Sequence, residues 1–96
     1  MACIDTQMAL SLMKARLNRL DADTSKDEEF TARLEAAAEE LSGVGIHLTD
    51  SPADLMLLVD NAAWQYSNRD KNTGMPDWLR LKRRERWLRQ QRGTTT

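Results

Sequence analysis

The most apolar stretch of the chain is Ser51-Pro-Ala-Asp-Leu-Met-Leu-Leu-Val-Asp-Asn-Ala-Ala-Trp-Gln-Tyr66. Ser51 is a good helix cap, Pro52 suits the first helical position, and Asp54 has the spacing to reach back to the cap. After this first turn, apolar residues occupy most sides of a helix that is predicted to extend to about residue 68. Because such a helix must be covered on most sides, we predict that it lies at the centre of a bundle.

Two amphipathic helices are predicted before it, over about residues 5–20 and 27–42. The first places Leu10, Met13 and Leu17 on one face. The second has an apolar face opposite three exposed acids, which are Glu35, Glu39 and Glu40. Gly43 and Gly45 are expected to end it, since glycine commonly follows the last turn of a helix. The apolar residues that follow are predicted to form a short extended connector.

A fourth helix is predicted over about residues 77–91, with 93–96 as a flexible tail. The fold class is therefore all-α: a small four-helix bundle, one domain over 1–96, with a short extended connector between the second and third helices. The apolar residues are mostly Leu, Ala and Met, which favours helix over strand. Four aromatic residues are predicted to support the core: Trp64, Tyr66, Trp78 and Trp87.

The charge is divided sharply along the chain. Residues 69–92 hold nine basic and three acidic residues, a net of +6, whereas residues 1–68 hold five basic and twelve acidic ones, a net of −7. A chain with opposite charges at its two ends favours head-to-tail self-association or binding to a polyanion. We predict a subunit interface at Glu35, Glu39 and Glu40. We also predict contact with a partner or with DNA by four arginines: Arg80, Arg83, Arg84 and Arg86.

The sequence gives no pattern typical of catalysis. His47 is the only histidine and lies between apolar residues of the connector, which favours a structural role. Cys3 is the only cysteine, so neither a disulfide within the chain nor a cysteine-based metal site is expected. Glu35 and Glu39 have a spacing that could hold a metal, but a solvated or ion-pairing face is favoured. We predict a non-enzyme with no cofactor and no metal.

Targeting signals are not expected either. The chain begins with no pattern typical of a signal peptide, and its longest apolar run is far shorter than the ~20 residues that span a bilayer. We therefore predict a protein that has no membrane partner and is made in the cytoplasm.

Several segments together carry a family resemblance, from about residue 8 to residue 91. They are the helix Leu10-Ser-Leu-Met-Lys-Ala-Arg-Leu17, the acidic helix Thr31-Ala-Arg-Leu-Glu-Ala-Ala-Ala-Glu-Glu-Leu41, the segment Trp64-Gln-Tyr-Ser-Asn-Arg69, the turn Gly74-Met-Pro76 and the helix start Trp78-Leu-Arg-Leu-Lys-Arg-Arg84. Their order resembles the small all-helical head-tail connector proteins of long-tailed bacteriophages and prophages, also called head-completion or DNA-packaging adaptor proteins. The chain lacks the long glycine-rich or hydrophobic loop that some members use to contact the tail.

This resemblance implies a structural virion protein and a fold without an active site. Its copies would form a ring, commonly of about twelve subunits, beneath the portal. The ring would extend the channel for DNA and contact the portal, the tail-side proteins and, without sequence preference, the phage DNA. The protein would be made in the host bacterial cytoplasm and reside at the head-tail interface of the virion.

Two other functions remain open. One is a small nucleic-acid-binding or regulatory helical protein of a mobile element, whose affinity for DNA would fall steeply with salt. The other is an antitoxin-like helical module, which would form a stable complex with one cognate protein instead of a ring.

Overall fold

The computed structural model describes residues 6–19, 22–49, 51–68 and 74–94. Within these ranges the chain forms four helices: α1, Thr6–Arg16; α2, Asp27–Gly43; α3, Pro52–Ser67; and α4, Asp77–Thr94. The described residues contain no strand, and residues 46–49 form an extended connector between α2 and α3. The prediction of an all-α four-helix bundle with such a connector is confirmed.

The third helix is the centre of the bundle, as its composition predicts. α3 contacts α1, α2 and α4, and the core gathers around it. Val59, Ala62 and Asn61 are almost completely buried. A helix that is covered by all three others fixes the relative positions of every element in the fold.

Aromatic packing joins α2 to α3 in the interior. The rings of Phe30 and Tyr66 meet edge to face, with centroids 4.9 Å apart and planes at 87°. This arrangement places the positive edge of one ring against the negative face of the other. Tyr66 is a core residue, as predicted, whereas Trp64 is only partly buried and packs against the margin of the core.

Two helices, α1 and α2, are each followed by a residue in the left-handed conformation, which ends the helix. α1 stops at Arg16, earlier than predicted, because Asn18 adopts a φ of 61° and the amide of Arg19 donates to the carbonyl of Lys14 at 2.7 Å. α2 ends before Gly45, whose φ is 92°. There the amide of Ile46 donates to the carbonyl of Leu41 at 2.9 Å. Both ends have the hydrogen bonds of a Schellman motif, and Gly43 itself remains helical.

The predicted cap of α3 is confirmed in part. The Oγ atom of Ser51 accepts from the amide of Asp54 at 3.2 Å, and Pro52 occupies the first helical position. The Asp54 carboxylate does not return to Ser51. It accepts instead from the amide and the hydroxyl of Thr49, at 2.7 and 2.8 Å, which pins the connector to the start of α3.

The fourth helix differs from its prediction in length and in orientation. α4 continues to Thr94, so residues 93 and 94 are helical, while residues 95–96 of the predicted tail lie outside the described residues.

Trp78 is 47% exposed and Trp87 39% exposed, so the prediction that they belong to the core is wrong. The side of α4 that faces the bundle carries Leu79, Arg83, Arg86 and Gln90, spaced three or four residues apart. Residues 78 and 87 are each one position away from this row, which turns them about 100° from it.

Candidate interaction surface on helix α4

The inner side of α4 is fastened to the bundle mainly by charge. Arg86 binds Asp54, with Nε 2.6 Å from Oδ1, and Lys82 binds Asp60, with Nζ 3.0 Å from Oδ2. Arg83 approaches Glu40 of α2, with Nη1 3.8 Å from Oε1.

These contacts correct two of the sequence predictions. Arg83 and Arg86 turn towards acids of their own chain and are largely buried, so neither projects freely outward as predicted. The physical reason is that the acids of α2 and α3 supply counterions for the self-repelling basic helix. The pair between Arg86 and Asp54 is short and desolvated, which makes it stronger than a pair in water.

The pair between Arg86 and Asp54 is nearly sealed from solvent. The Asp54 side chain is 4% exposed and that of Arg86 12%. Burial raises the pKa of the Asp54 carboxyl, but hydrogen bonds from Arg86 and Thr49 lower it, and the pKa falls below its usual value overall. Arg86 also donates from Nη2 to the carbonyl of His47 at 2.7 Å. One guanidinium thus joins α4, α3 and the connector.

Gln90 completes this junction by bonding to the backbone of the connector. Its Nε2 donates to the carbonyl of Gly45 at 2.7 Å, and its Oε1 accepts from the amide of His47 at 2.8 Å. The side-chain amide of Gln90 thus bonds to one backbone acceptor and one backbone donor, as a neighbouring strand would. The junction uses the backbone of His47, whose side chain is exposed.

A second buried acid ties three helices together. Asp60 of α3 is almost fully buried and contacts Arg16 of α1 as well as Lys82 of α4. The Lys82 Nζ atom also lies 5.7 Å from the centre of the Trp78 ring, within range of a cation–π contact. Lys82 thereby links the interior of the bundle to a tryptophan on its surface.

Glu40 differs from the other two acids predicted for a subunit interface. Its Oε1 accepts from Asn61 Nδ2 at 3.2 Å and from Gln65 Nε2 at 3.0 Å, in addition to its approach to Arg83. Glu40 is therefore engaged within its own chain. Glu35 and Glu39 are exposed.

The opposite side of α4 exposes large apolar residues. Among the residues that the structure describes, seven large hydrophobic side chains are exposed, and four of them lie on this helix: Trp78, Leu81, Trp87 and Leu88. Leu81 is 59% exposed. Trp78, Leu81 and Leu88 follow one side of the helix, with the exposed Arg84 and Arg89 along its two margins and Glu85 within it. We call this set of six residues the outer face of α4.

Basic side chains also line an open groove at the start of the helix. The groove is lined by Met75, Asp77, Leu81 and three arginines, Arg80, Arg83 and Arg84. Arg80 is exposed and its Nη2 lies 2.6 Å from Oδ1 of Asp77, three residues away on the same helix. Since an exposed pair of this kind contributes little, Arg80 is available to other anions. Arg80 and Arg84 are thus the two predicted contact arginines that remain outward.

The acidic side of α2 is a second exposed surface. Three glutamates and two alanines form it, all exposed and at helical spacing: Glu28, Ala32, Glu35, Ala36 and Glu39. We call these five residues the acidic face of α2. Its alanines leave room for another helix to approach closely, and its glutamates give it a uniform negative charge.

The described ranges meet the requirements of neither a metal site nor a membrane-spanning helix. Those ranges contain no group of three or more His, Cys, Asp and Glu side chains placed to hold a metal, and no helix with the length and hydropathy needed to cross a membrane. Comparison of the chain with protein-family models, curated proteins and solved structures found no match. The outer face of α4 and the acidic face of α2 are the candidate functional surfaces of the described residues.

Proposed function

We propose that this chain is a structural assembly protein of a bacteriophage or prophage, the subunit of a head-tail connector ring. The observation that carries the proposal is the outer face of α4, where Trp78, Leu81 and Leu88 are exposed on a helix that is otherwise firmly attached. Exposed apolar clusters with a charged margin are typical of surfaces that bind other proteins.

The division of the basic residues supports the same proposal. Arg83 and Arg86 position α4, which leaves Arg80, Arg84 and Arg89 exposed beside the apolar residues. A connector subunit needs such a rigidly presented contact helix, and it needs no active site. In the assembled particle, a ring of about twelve copies would lie between the portal and the tail-side proteins at the head-tail interface.

The test is a complementation experiment in a prophage that encodes the chain. The chromosomal copy is deleted, and particles are scored after supply of wild type or of the double variant Leu81→Glu with Leu88→Glu. We expect wild type to restore tailed, DNA-filled virions and the double variant to yield filled heads that lack tails or leak DNA. A matched control is Met56→Glu, which places the same charge at an exposed apolar position of α3. Normal virion yields from the double variant would overturn the proposal.

The exposed arginines of α4 favour a second candidate, a small nucleic-acid-binding protein. Arg80, Arg84 and Arg89 could contact phosphates, and each phosphate contact steepens the loss of affinity with salt. A connector that lets DNA pass must bind it weakly and without sequence preference. Tight binding to a particular duplex, measured over a salt series, would therefore favour the second candidate.

A further inference from the structure

The apolar and charged side chains on the outer face of α4 define the kind of surface that could pack against it. Leu81 and Leu88 lie at its centre, seven residues apart, with the single acid Glu85 between them, and its margins carry Arg84 and Arg89. A surface that covers it must offer small apolar groups to the leucines and carboxylates to the arginines, since an uncharged partner would leave the guanidinium groups desolvated and unpaired.

The acidic face of α2 has this chemistry. Ala32 and Ala36 present small side chains, and Glu28, Glu35 and Glu39 surround them. Glu28 and Glu35 are seven residues apart, as are Ala32 and Glu39, so both faces repeat with the period at which two long helices pack side by side. The two surfaces share the same seven-residue spacing, both expose apolar side chains, and their net charges are opposite in sign.

One molecule cannot bring its own two faces together. Both are exposed in the folded chain, and Arg83 approaches Glu40 of α2 from the inner side of α4, which faces away from the outer face. The acidic face can therefore reach the outer face of α4 only on another copy.

We propose that the outer face of α4 in one copy packs against the acidic face of α2 in a second copy. Leu81 and Leu88 cover Ala32 and Ala36, and Arg84 pairs with Glu35 or Glu39. Because the two surfaces differ, the contact is heterologous, and repeating it generates a ring when the rotation closes. Its role in a connector rests on the proposed function, whereas the contact itself does not.

Cysteine cross-linking tests the pairing directly. In a Cys3→Ser background, one preparation carries Leu81→Cys and the other carries Ala36→Cys on a chain of different length, so that the mixed product is identified by size. A disulfide requires Cα atoms about 4.4–6.8 Å apart, which makes it a strict reporter of the contact. The control replaces Ala36→Cys by Met56→Cys, at an exposed position of α3.

We expect the mixed 81–36 product to exceed the 81–56 product and to decrease as salt is raised. Glu35→Lys with Glu39→Lys should abolish it, and Arg84→Glu on the other chain should restore it. Equal yields of the two products, no mixed product, or yields that do not respond to charge reversal would overturn the pairing. So would a DNA duplex that binds the outer face with steep salt dependence while no mixed product forms.

The two proposals fail separately. If 81–36 cross-links are absent but the Leu81→Glu, Leu88→Glu variant still gives defective particles, the pairing falls and the connector role stands. If the cross-links form but that variant gives normal virions, the connector role falls and the pairing stands.

Discussion

Arg86 of α4 binds Asp54 of α3 at two points: Nε lies 2.6 Å from Oδ1, and Nη2 lies 3.1 Å from Oδ2. This two-point pair fixes both the position and the rotation of α4, because the planar guanidinium matches the carboxylate in one orientation. α4 has one buried hydrophobic side chain, that of Leu79, among its described residues. The orientation of the exposed surface of α4 therefore depends on a polar junction.

We predict that Asp54→Asn will lower the free energy of unfolding by about 3–5 kcal/mol, because it leaves a buried guanidinium without its counterion. Urea denaturation measures the change. The control is Asp77→Asn, which removes the exposed partner of Arg80 and should stay within roughly 0.5 kcal/mol of wild type. Equal effects of the two substitutions would show that the buried pair does not fasten α4.

The same pair predicts a dependence on pH. The pKa of Asp54 is lower in the folded chain than its usual value, so folding favours the ionised carboxylate. The stabilisation from this group is complete above the unfolded pKa, near 4, and is lost as the pH falls through the folded pKa. We expect the difference in stability between wild type and Asp54→Asn to shrink below about pH 4. A difference that stays constant down to pH 2 would contradict the assignment.

Two neighbouring glycines allow a matched test of the end of α2. Gly45 has a φ of 92°, and a Cβ atom there would lie 3.3 Å from Nε1 of Trp87. We predict that Gly45→Ala will cost about 1–2 kcal/mol, the penalty for a left-handed residue with a side chain. Gly43 is helical and has open space around it, so Gly43→Ala should stabilise the chain by roughly 0.5–1 kcal/mol. Thermal melts of both variants show whether each substitution raises or lowers stability. A change in the same direction for both would contradict the left-handed conformation of Gly45.

The aromatic residues of α3 are expected to differ in their contributions. Tyr66 is buried against Phe30, so Tyr66→Ala should cost about 3–5 kcal/mol. Trp64 is only partly buried, and Trp64→Ala should cost less despite its larger ring. Chemical denaturation of both variants gives the order, and a larger loss at Trp64 would contradict the packing described above.

The position of α3 could be predicted from the sequence, whereas the orientation of α4 could not. The cap and the apolar composition of α3 are local signals, and they placed it correctly at the centre of the bundle. On α4 the same rule assigned Trp78 and Trp87 to the interior, whereas Leu79 is the apolar residue that is buried. The pattern of apolar residues does not identify the inner side of α4, because Arg86 and Lys82 bind buried acids of α3 that lie 32 and 22 residues away in the chain.

One signal in the sequence could have indicated this arrangement. Asp54 and Asp60 stand within the most apolar helix, where a carboxylate needs a cationic partner. Such acids predict that a basic helix packs there with some of its arginines inward. The identity of the partners still depends on three-dimensional packing, which local spacing does not contain.

The last prediction separates the arginines that build the fold from those that serve assembly. Arg83→Gln with Arg86→Gln removes inward guanidinium groups and should lower the melting temperature, since Asp54 and Glu40 lose their cationic partners. Arg80→Gln with Arg84→Gln changes exposed groups and should leave the free energy of unfolding within about 0.5 kcal/mol of that of wild type.

The two double variants should then differ in the complementation experiment. We expect replacement of the outward pair, Arg80 and Arg84, to reduce the yield of tailed, DNA-filled virions at unchanged stability, because the groove loses two of its three arginines and the outer face of α4 one of its two. The inward pair should reduce the yield only in proportion to its loss of folded protein, which the amount of soluble chain in the cell reports. Normal virions from the outward double variant, together with unchanged stability, would show that Arg80 and Arg84 have no part in assembly.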